Sequence, residues 1–376
     1  MAKSPNSFNP ANPLIGVLAG DLKQVIYSAD YLVYRRHLAN LSRTLNAGLC
    51  FFSSQDIDYQ HMLIDGIYYD RGRWAKKEFM FPNVLCSLGG LQKLAPNELA
   101  QLCQVVKDHR VRTVSMPFEF NKWDVYGILS GGAGLKAFLP ETKLLRNDSD
   151  LIAMLNRYGE IYLKACRGRR GEQVLRLKSM PDGAIECSYY SGAVNTRVVQ
   201  TGALFSFINS FFRNRKFVIQ QSIDLLEYKG SKVNLRAELQ RNGRGRLEIA
   251  GIPVRVALAG SPITTHATCY RFEQFFLEMT GGGDMAYQEL KKSLYRLLDS
   301  VYRRMEEYFG PLGEIGIDIG LDKNNRLWVI ECNALSAMVS LFNAYGDGAV
   351  HKAFSNSFKY ALYKVQQETL SRGDQE

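Results

Sequence analysis

The sequence predicts a mixed α/β and α+β protein, and three patterns predict it. Residues 14–18 and 49–53 are short apolar runs separated by a helical stretch, so the chain opens in β-loop-α-β order. Residues 161–165 and 173–178 are strand-like and enclose the basic, glycine-containing turn Arg167-Gly168-Arg169-Arg170-Gly171, which reads as a β-loop-β flap. Residues 313–333 form two alternating runs around a polar turn, the pattern of a β-hairpin.

In chain order, residues 1–12 are rich in Pro, Asn and Ser and read as a loose tail. The strand at 14–18, a helix at roughly 28–46 and the strand at 49–53 begin a small Rossmann-like unit spanning 13–119. Gly16 and Gly20 do not complete G-x-G-x-x-G, so the opening carries no dinucleotide fingerprint. From Phe120-Asn121-Lys122-Trp123 the pattern becomes helical, then passes a glycine-rich stretch at 130–134 into a second unit, 120–222. That unit holds a helix at 148–158, the flap, a helix at 201–212 and a strand at 217–221. The third unit, 223–376, holds two long strands at 232–240 and 247–258 joined by a turn containing Asn242-Gly243. A helix at 286–309 follows, with Leu290, Leu294, Leu297, Leu298, Val301 and Met305 at core spacing, then the hairpin and a last helix at 348–370.

A chain of 376 residues with 46% apolar content is long enough for two or three packed domains. No apolar run is long enough to span a bilayer, and the start lacks the apolar region of a signal peptide, so the expected location is cytoplasmic. Seven cysteines without a C-x-x-C pair argue against a disulfide framework and a zinc ribbon. The formal charge of +10 favours an anionic partner, whether nucleotide, nucleic acid or anionic polymer. Nucleic-acid binding rests on that charge and the aromatics alone, since no recognition motif is present.

The chemistry concentrates in the hairpin. If Asn324 and Asn325 are the central pair of a two-residue turn, counting outward sets Asp318 opposite Glu331 and Gly316 opposite Asn333. Alternation then gives Ile315, Ile317, Ile319, Leu321, Trp328, Ile330 and Cys332 one apolar face. The other face holds Gly316, Asp318, Gly320, Glu331 and Asn333, with glycines clearing room above two carboxylates whose β-carbons lie roughly 5 Å apart. Facing like charges require a cation or a bound proton. The donors are all oxygens, which selects Mg²⁺ or Mn²⁺ over zinc. The alternative is a hairpin with a solvated polar face.

Two further features accompany it. Lys164 ends a strand just before the Gly168–Gly171 loop, where backbone N–H groups beside an ammonium suit phosphate, though such loops are also ordinary exposed turns. The strand at 233–240 presents Asn234, Arg236, Glu238 and Gln240 on one face, and Arg255 on the next strand can join Arg236 as an anion clamp. A solvated sheet face is the other reading.

These residues resemble the ATP-grasp superfamily, and within it the YheC/YheD-type branch of endospore coat-associated proteins. Phe120-Asn-Lys122, Phe138-Leu-Pro-Glu-Thr142, Tyr162-Leu-Lys164, Val218-Ile-Gln-Gln221, Asn234-Leu-Arg236, Val254-Arg-Val-Ala257, Gly260-Ser-Pro-Ile-Thr-Thr-His266 and Gly313-Glu-Ile-Gly-Ile-Asp318 stand in family order, and Gly-Ile-Asp318 is followed by Glu331-Cys-Asn333. The resemblance implies an ATP-grasp fold, two α+β lobes clasping nucleotide after the Rossmann-like domain. It implies ATP and Mg²⁺ (or Mn²⁺) as cofactors. Lys122 and Lys164 would approach the phosphates, Gly168, Arg169 and Gly171 would form the flap, and Gln220, Gln221, Ser222 and Ile223 the adenine-facing hinge. Glu227 would serve the ribose, Asp318, Glu331 and Asn333 the metal, and Arg236 and Arg255 the transferred phosphate.

The implied activity is ligation of a small-molecule or peptide carboxylate to an amine through an acylphosphate, and the implied location is the cytoplasm or the spore coat. Arg169 stands where relatives carry Ser, Asn234 where they carry Asp before Leu-Arg, and Ala334-Leu335-Ser336 where they carry Lys-Pro-Gly. The Asn/Tyr-Arg expected near Pro82-Asn-Val-Leu85 is absent. A second reading is therefore an ATP-binding, spore coat-associated protein without chemistry.

Overall fold

A computed structural model of the chain describes residues 13–22, 32–88, 91, 94–114, 119–168, 173–213, 215–264, 267–279, 283–335 and 338–373. The expected tail at 1–12 lies outside the described residues, as do Arg169 and Gly171. None of the described helices is long and apolar enough to cross a membrane.

The first sheet is mixed. Strands β1 (Leu14–Ala19), β2 (Gly48–Phe52), β3 (Ile57–Asp58), β4 (Leu63–Asp70), β5 (Arg73–Met80), β6 (Val84–Leu88) and β7 (Arg112–Thr113) run in the order β3-β4-β2-β1-β6-β7, with β5 on β4. The β1 strand is apolar almost throughout because it lies between parallel partners, Ile15 facing Leu49 on one side and Val84 on the other. Helices α1 (Leu32–Thr44) and α2 (Pro96–Asp108) accompany this sheet. The β4–β5 hairpin escapes the expected β-loop-α-β pattern. Its turn residues Arg71 and Gly72 have φ of 44° and 88°, the left-handed pair that matches strand twist in a two-residue hairpin.

After helix α3 (Lys122–Ser130), whose first turn is capped by the Asn121 side chain accepting from Trp123 N at 2.9 Å, comes a second sheet. It is built from β8 (Thr142–Leu144), β9 (Glu160–Ala165), β10 (Val174–Ser179), β11 (Ile185–Ser191), β12 (Ala193–Val199) and β13 (Phe217–Gln221), in the order β12-β11-β10-β9-β13-β8. Every pairing in it is antiparallel. Helices α4 (Asp148–Tyr158) and α5 (Thr201–Phe212) cover one face through Leu151, Leu155, Leu204, Ile208 and Phe212.

The third sheet contains β14 (Glu227–Tyr228), β15 (Ser231–Arg241), β16 (Leu247–Gly251), β17 (Val254–Val256), β18 (Thr268–Tyr270), β19 (Glu314–Leu321) and β20 (Leu327–Asn333), in the order β18-β17-β15-β19-β20 with β14 and β16 also on β15. One long strand was expected over 247–258, but the chain breaks at Ile252-Pro253. Pro253 has no N–H for the ladder, its carbonyl takes Arg236 N at 2.9 Å, and the β15–β16 register shifts at Glu238/Leu239. Helix α6 (Asp284–Phe309) lays Leu294, Leu298, Val301 and Met305 on the apolar face.

Helices α7 (Val339–Tyr345) and α8 (Asp347–Gly373) return to the first sheet, where Val350, Phe354, Phe358 and Ala361 join Ile15, Val17 and Leu38 in one core. The basic turn after β15 seats on α8. A Cβ at Gly243 would meet Lys359 Cβ at 2.9 Å, and one at Gly245 would meet the Tyr363 ring at 2.6 Å. Arg241 pairs with Glu306 on α6, while Arg244 and Arg246 are exposed.

Candidate functional site

The polar stripe of β15 is buried, which excludes the solvated-face reading: Asn234, Arg236, Glu238 and Gln240 are 4%, 9%, 3% and 2% exposed. They lie beside the polar face of β19, with Asn234 next to Gly320, Arg236 next to Asp318 and Glu238 next to Gly316. Together with β9, β13 and β20 these strands wall a cleft of about 1540 Å³ between the second and third sheets, reaching to the edge of the first.

The hairpin does set Asp318 opposite Glu331 and Gly316 opposite Asn333, but by a different route from a two-residue turn. The turn closes from Asp322 to Arg326, with Asn325 alone at a left-handed φ of 61°. This shifts the pairing to Ile319 with Val329 and Leu321 with Leu327, and a bulge between Asp318 and Ile319 restores the count. Two deviations therefore cancel at the site. The residues between them change face: Leu327 and Val329 join the core with Cys332, whereas Trp328 and Ile330 do not. Ile330 lines the cleft, and Trp328 lies under the Arg326 guanidinium at 3.8 Å while its Nε1 donates to Asp322 at 2.9 Å.

The glycines clear space for different neighbours than expected. A Cβ on Gly316 would fall 2.3 Å from Arg236 Nη2, and one on Gly320 would fall 2.7 Å from Leu225 Cδ2. Gly316 thus lets the Arg236 guanidinium lie flat on the strand.

The cation demanded by the facing acids is supplied in part by the chain. Asp318 Oδ1 accepts from Arg255 Nη2 at 2.8 Å and Arg236 Nη1 at 3.1 Å. Burial pushes the Asp318 carboxyl up, but Arg255 and Arg236 overrule it and hold it below the usual carboxylate range. Arg236 Nε donates to Glu238 at 3.0 Å and Arg255 Nε to Asn234 at 3.0 Å, so each guanidinium is fixed from two sides. With its amide oriented to suit its neighbours, Asn333 accepts from Arg236 Nη1 at 2.6 Å and donates to Glu331 at 3.2 Å.

Lys122, at the start of α3, reaches Glu331 at 3.2 Å and donates to the Gly168 carbonyl at 3.2 Å, tying the hairpin to the foot of the flap. Lys164 on β9 donates to Gln220 Oε1 at 2.6 Å, and burial pushes its ammonium down to about 8 although Glu331 pulls the other way. The Lys164 ammonium is the form that phosphate oxygens require.

Lys164, Gly168, Gln220, Gln221, Ile223, Arg236, Arg255, Asp318, Glu331 and Asn333 all line the cleft. Lys122 lines a small cavity behind it. Ser222 instead donates its hydroxyl to Glu160 at 2.8 Å, and Glu227 sits on β14 with its carboxylate 3.9 Å from Lys323. Sequence reasoning gave no role to Glu238, although its spacing two residues from Arg236 on one strand face was the available signal. It also missed Lys232, which lines the cleft with Tyr162 and pairs with Glu160 at 3.2 Å. No local pattern marks that cluster.

The side chains present fit a divalent ion with a polyphosphate. Asp318, Glu331 and Asn333 offer only oxygen donors in the acidic groups, two of them carboxylates, which suits Mg²⁺ sharing its shell with phosphate. Among the described residues that line the cleft, six Lys and Arg stand against five Asp and Glu, an excess of one cation.

A mixed N-terminal sheet followed by two antiparallel sheets around such a cleft is the ATP-grasp fold. The D-alanine-D-alanine ligase from Coxiella burnetii superimposes with a TM-score of 0.55 at 13% identity, covering 97% of this chain and 99% of that one. The N5-carboxyaminoimidazole synthetase from Staphylococcus aureus does so with a TM-score of 0.55 at 8% identity, covering 95% and 80%. Residues 113–363 match the family described as YheC/D like ATP-grasp, and the chain belongs to it. A similar relative is the endospore coat-associated protein YheD of Bacillus subtilis, 26% identical over 333 residues, covering 86% of this chain and 72% of that protein. Membership of this family implies ATP binding and points to an ATP-dependent ligase.

Proposed function

We propose that the protein binds Mg·ATP in this cleft and joins a carboxylate to an amine. The observation that carries the reading is Asp318, set opposite Glu331 and clamped by Arg236 and Arg255, in the wall of a cleft also lined by Lys164. Asp318, Glu331 and Asn333 would hold the metal, which neutralises phosphate charge when bound. Lys122 and Lys164 bind phosphate oxygens beside Gly168, and Gln221 and Ile223 would take the base. In this reaction class the carboxylate oxygen attacks the γ-phosphorus and ADP leaves; the amine then attacks the acyl carbon and phosphate leaves. Arg236 and Arg255, each held at two points, stabilise the negative charge that develops at the transferred group, so the rate arises from positioning and electrostatics.

The test is calorimetric titration of ATP with and without Mg²⁺, followed by ADP release with a library of carboxylates and amines. Glu331→Gln should weaken Mg²⁺-dependent binding by at least about tenfold and abolish release. Equal ATP affinity in the variant and the parent would remove the metal assignment.

A second reading, an ATP-binding protein without turnover that associates with the spore coat as the name of YheD says of that relative, is favoured by one observation. Asp318 is already neutralised by two arginines of the chain itself. ATP binding without ADP release for any acid, with Glu331→Gln leaving spore-coat assembly intact, would select it.

A further inference from the structure

The cleft extends well past its charged part. Its 1540 Å³ exceeds the roughly 300–1,000 Å³ that holds one small ligand, so it has room for a second. Along β15 the polar stripe runs from Asn234 to Gln240, which pairs with Glu314; the charge of Glu314 in turn acts on the Cys86 thiol of the first sheet. At that far end the wall is made by Cys86, Leu88, Leu91, Leu99, Phe354 and Phe358, from β6, the segment leading into α2, α2 itself and α8. Val339, 60% exposed, adds an apolar side chain to the lining.

Among the described polar groups here, the Ser87 and Ser357 hydroxyls are engaged by the chain, and the Glu314 carboxylate also lines the cleft. Ser87 Oγ accepts from Leu91 N at 3.3 Å, and Ser357 Oγ donates to Ala353 O at 3.4 Å. A ligand group that needs hydrogen bonds would lose its water here without replacement, whereas a hydrocarbon would gain. Inward along the stripe come Gln240 beside Glu314, then Glu238, then Arg236, with Arg255 beside Asn234; the excess of one cation in the lining favours an anionic head at these arginines over an ammonium.

We propose that the acid substrate of this cleft is a carboxylate carrying an extended apolar group, its head toward Arg236 and Arg255 and its hydrocarbon part against Leu88, Leu91, Phe354 and Phe358. The assignment rests on the ligase reading of the charged end and narrows it to hydrophobic acids, whether aliphatic, aromatic or the end of an apolar peptide. Leu88, half-buried at the end of β6, can be changed with less damage to the core than Leu91, Phe354 or Phe358, which are buried.

The test is calorimetry on the full chain, with Mg²⁺ and the non-hydrolysable analogue β,γ-methylene-ATP present, titrating acetate, succinate, octanoate and 4-phenylbutyrate. Octanoate and 4-phenylbutyrate should bind at least about tenfold more tightly than acetate or succinate. Leu88→Asn, checked for an unchanged thermal midpoint, should erase about tenfold of that preference while leaving analogue affinity untouched. Acetate or succinate binding as tightly as the apolar acids, an insensitive Leu88→Asn, or no acid binding beside a bound analogue would each overturn the proposal. An analogue that itself fails to bind would instead remove the reading of the charged end. Titrating the same acids without nucleotide then judges the apolar chamber alone, by the same preference and the same variant.

Discussion

The two faces of the third sheet are both buried, yet they are made of opposite chemistry. On one, Leu235, Ala237, Leu239, Ile315, Ile317 and Ile319 are at most 1% exposed beneath α6. On the other, Asn234, Arg236, Glu238 and Gln240 are almost as inaccessible and carry charge or amide groups. Burying the first stabilises the fold at about 25 cal/mol per Å². Burying the second costs desolvation that ion pairing only offsets, and a hydrophobic replacement of the whole set would serve stability as well or better. Under the function proposed above, the polar face serves what enters the cleft, and stability alone does not account for it.

That contrast can be broken most directly by a pair of substitutions. Arg236→Met leaves Glu238 and part of Asp318 without a counter-charge and should cost about 3–5 kcal/mol in urea denaturation, together with nucleotide binding. Leu298→Ala, on α6 beneath the apolar face and 0% exposed, should cost about 2–5 kcal/mol while leaving nucleotide affinity as it was. A neutral or stabilising Arg236→Met with intact nucleotide binding would mean that the charged face has no ligand role.

Gly316→Ala gives a finer test, because the added Cβ would lie 2.3 Å from Arg236 Nη2. The expected cost is about 1–3 kcal/mol, and the displaced guanidinium should lower ADP release more than ATP affinity. Equal loss of both would place Arg236 in binding rather than in charge stabilisation during transfer.

The smallest effect is a pH dependence. Burial lowers Lys164 to about 8, so its ammonium is present below that pH and lost as pH rises through it. If that charge holds phosphate, nucleotide affinity should fall about tenfold between pH 7 and pH 9, and Lys164→Arg should flatten the profile. A flat parent profile would take Lys164 out of the phosphate site.

Much of this was legible locally. Period-2 alternation placed Asp318 and Glu331 on one face because the shifted turn and the bulge offset each other, and helical spacing picked out Leu294, Leu298, Val301 and Met305 as core. The same counting misplaced Trp328 and Ile330, because a bulge inserts a residue without leaving a mark in the composition. The Arg71-Gly72 hairpin passed unread for lack of an Asn-Gly or Asp-Gly signal. Least legible was the network of Arg236, Glu238, Asp318 and Arg255. Arg236 and Asp318 are 82 residues apart in the chain, and nothing near either announces the other.

The sequence by itself determined the strands β1, β9, β13, β15, β19 and β20, the long helix α6, and the acidic hairpin whose motif belongs to this family, since all of these follow from neighbouring residues. Only the tertiary structure decided that the polar stripe is buried, that the arginines already neutralise Asp318, and that Gly316 makes room for one of them. It also decided that apolar side chains of the first sheet and α8 meet at one end of the cleft. The reason is physical: burial and pairing of charges depend on which strands become neighbours, and β15, β19, β6 and α8 meet only when the whole chain has packed.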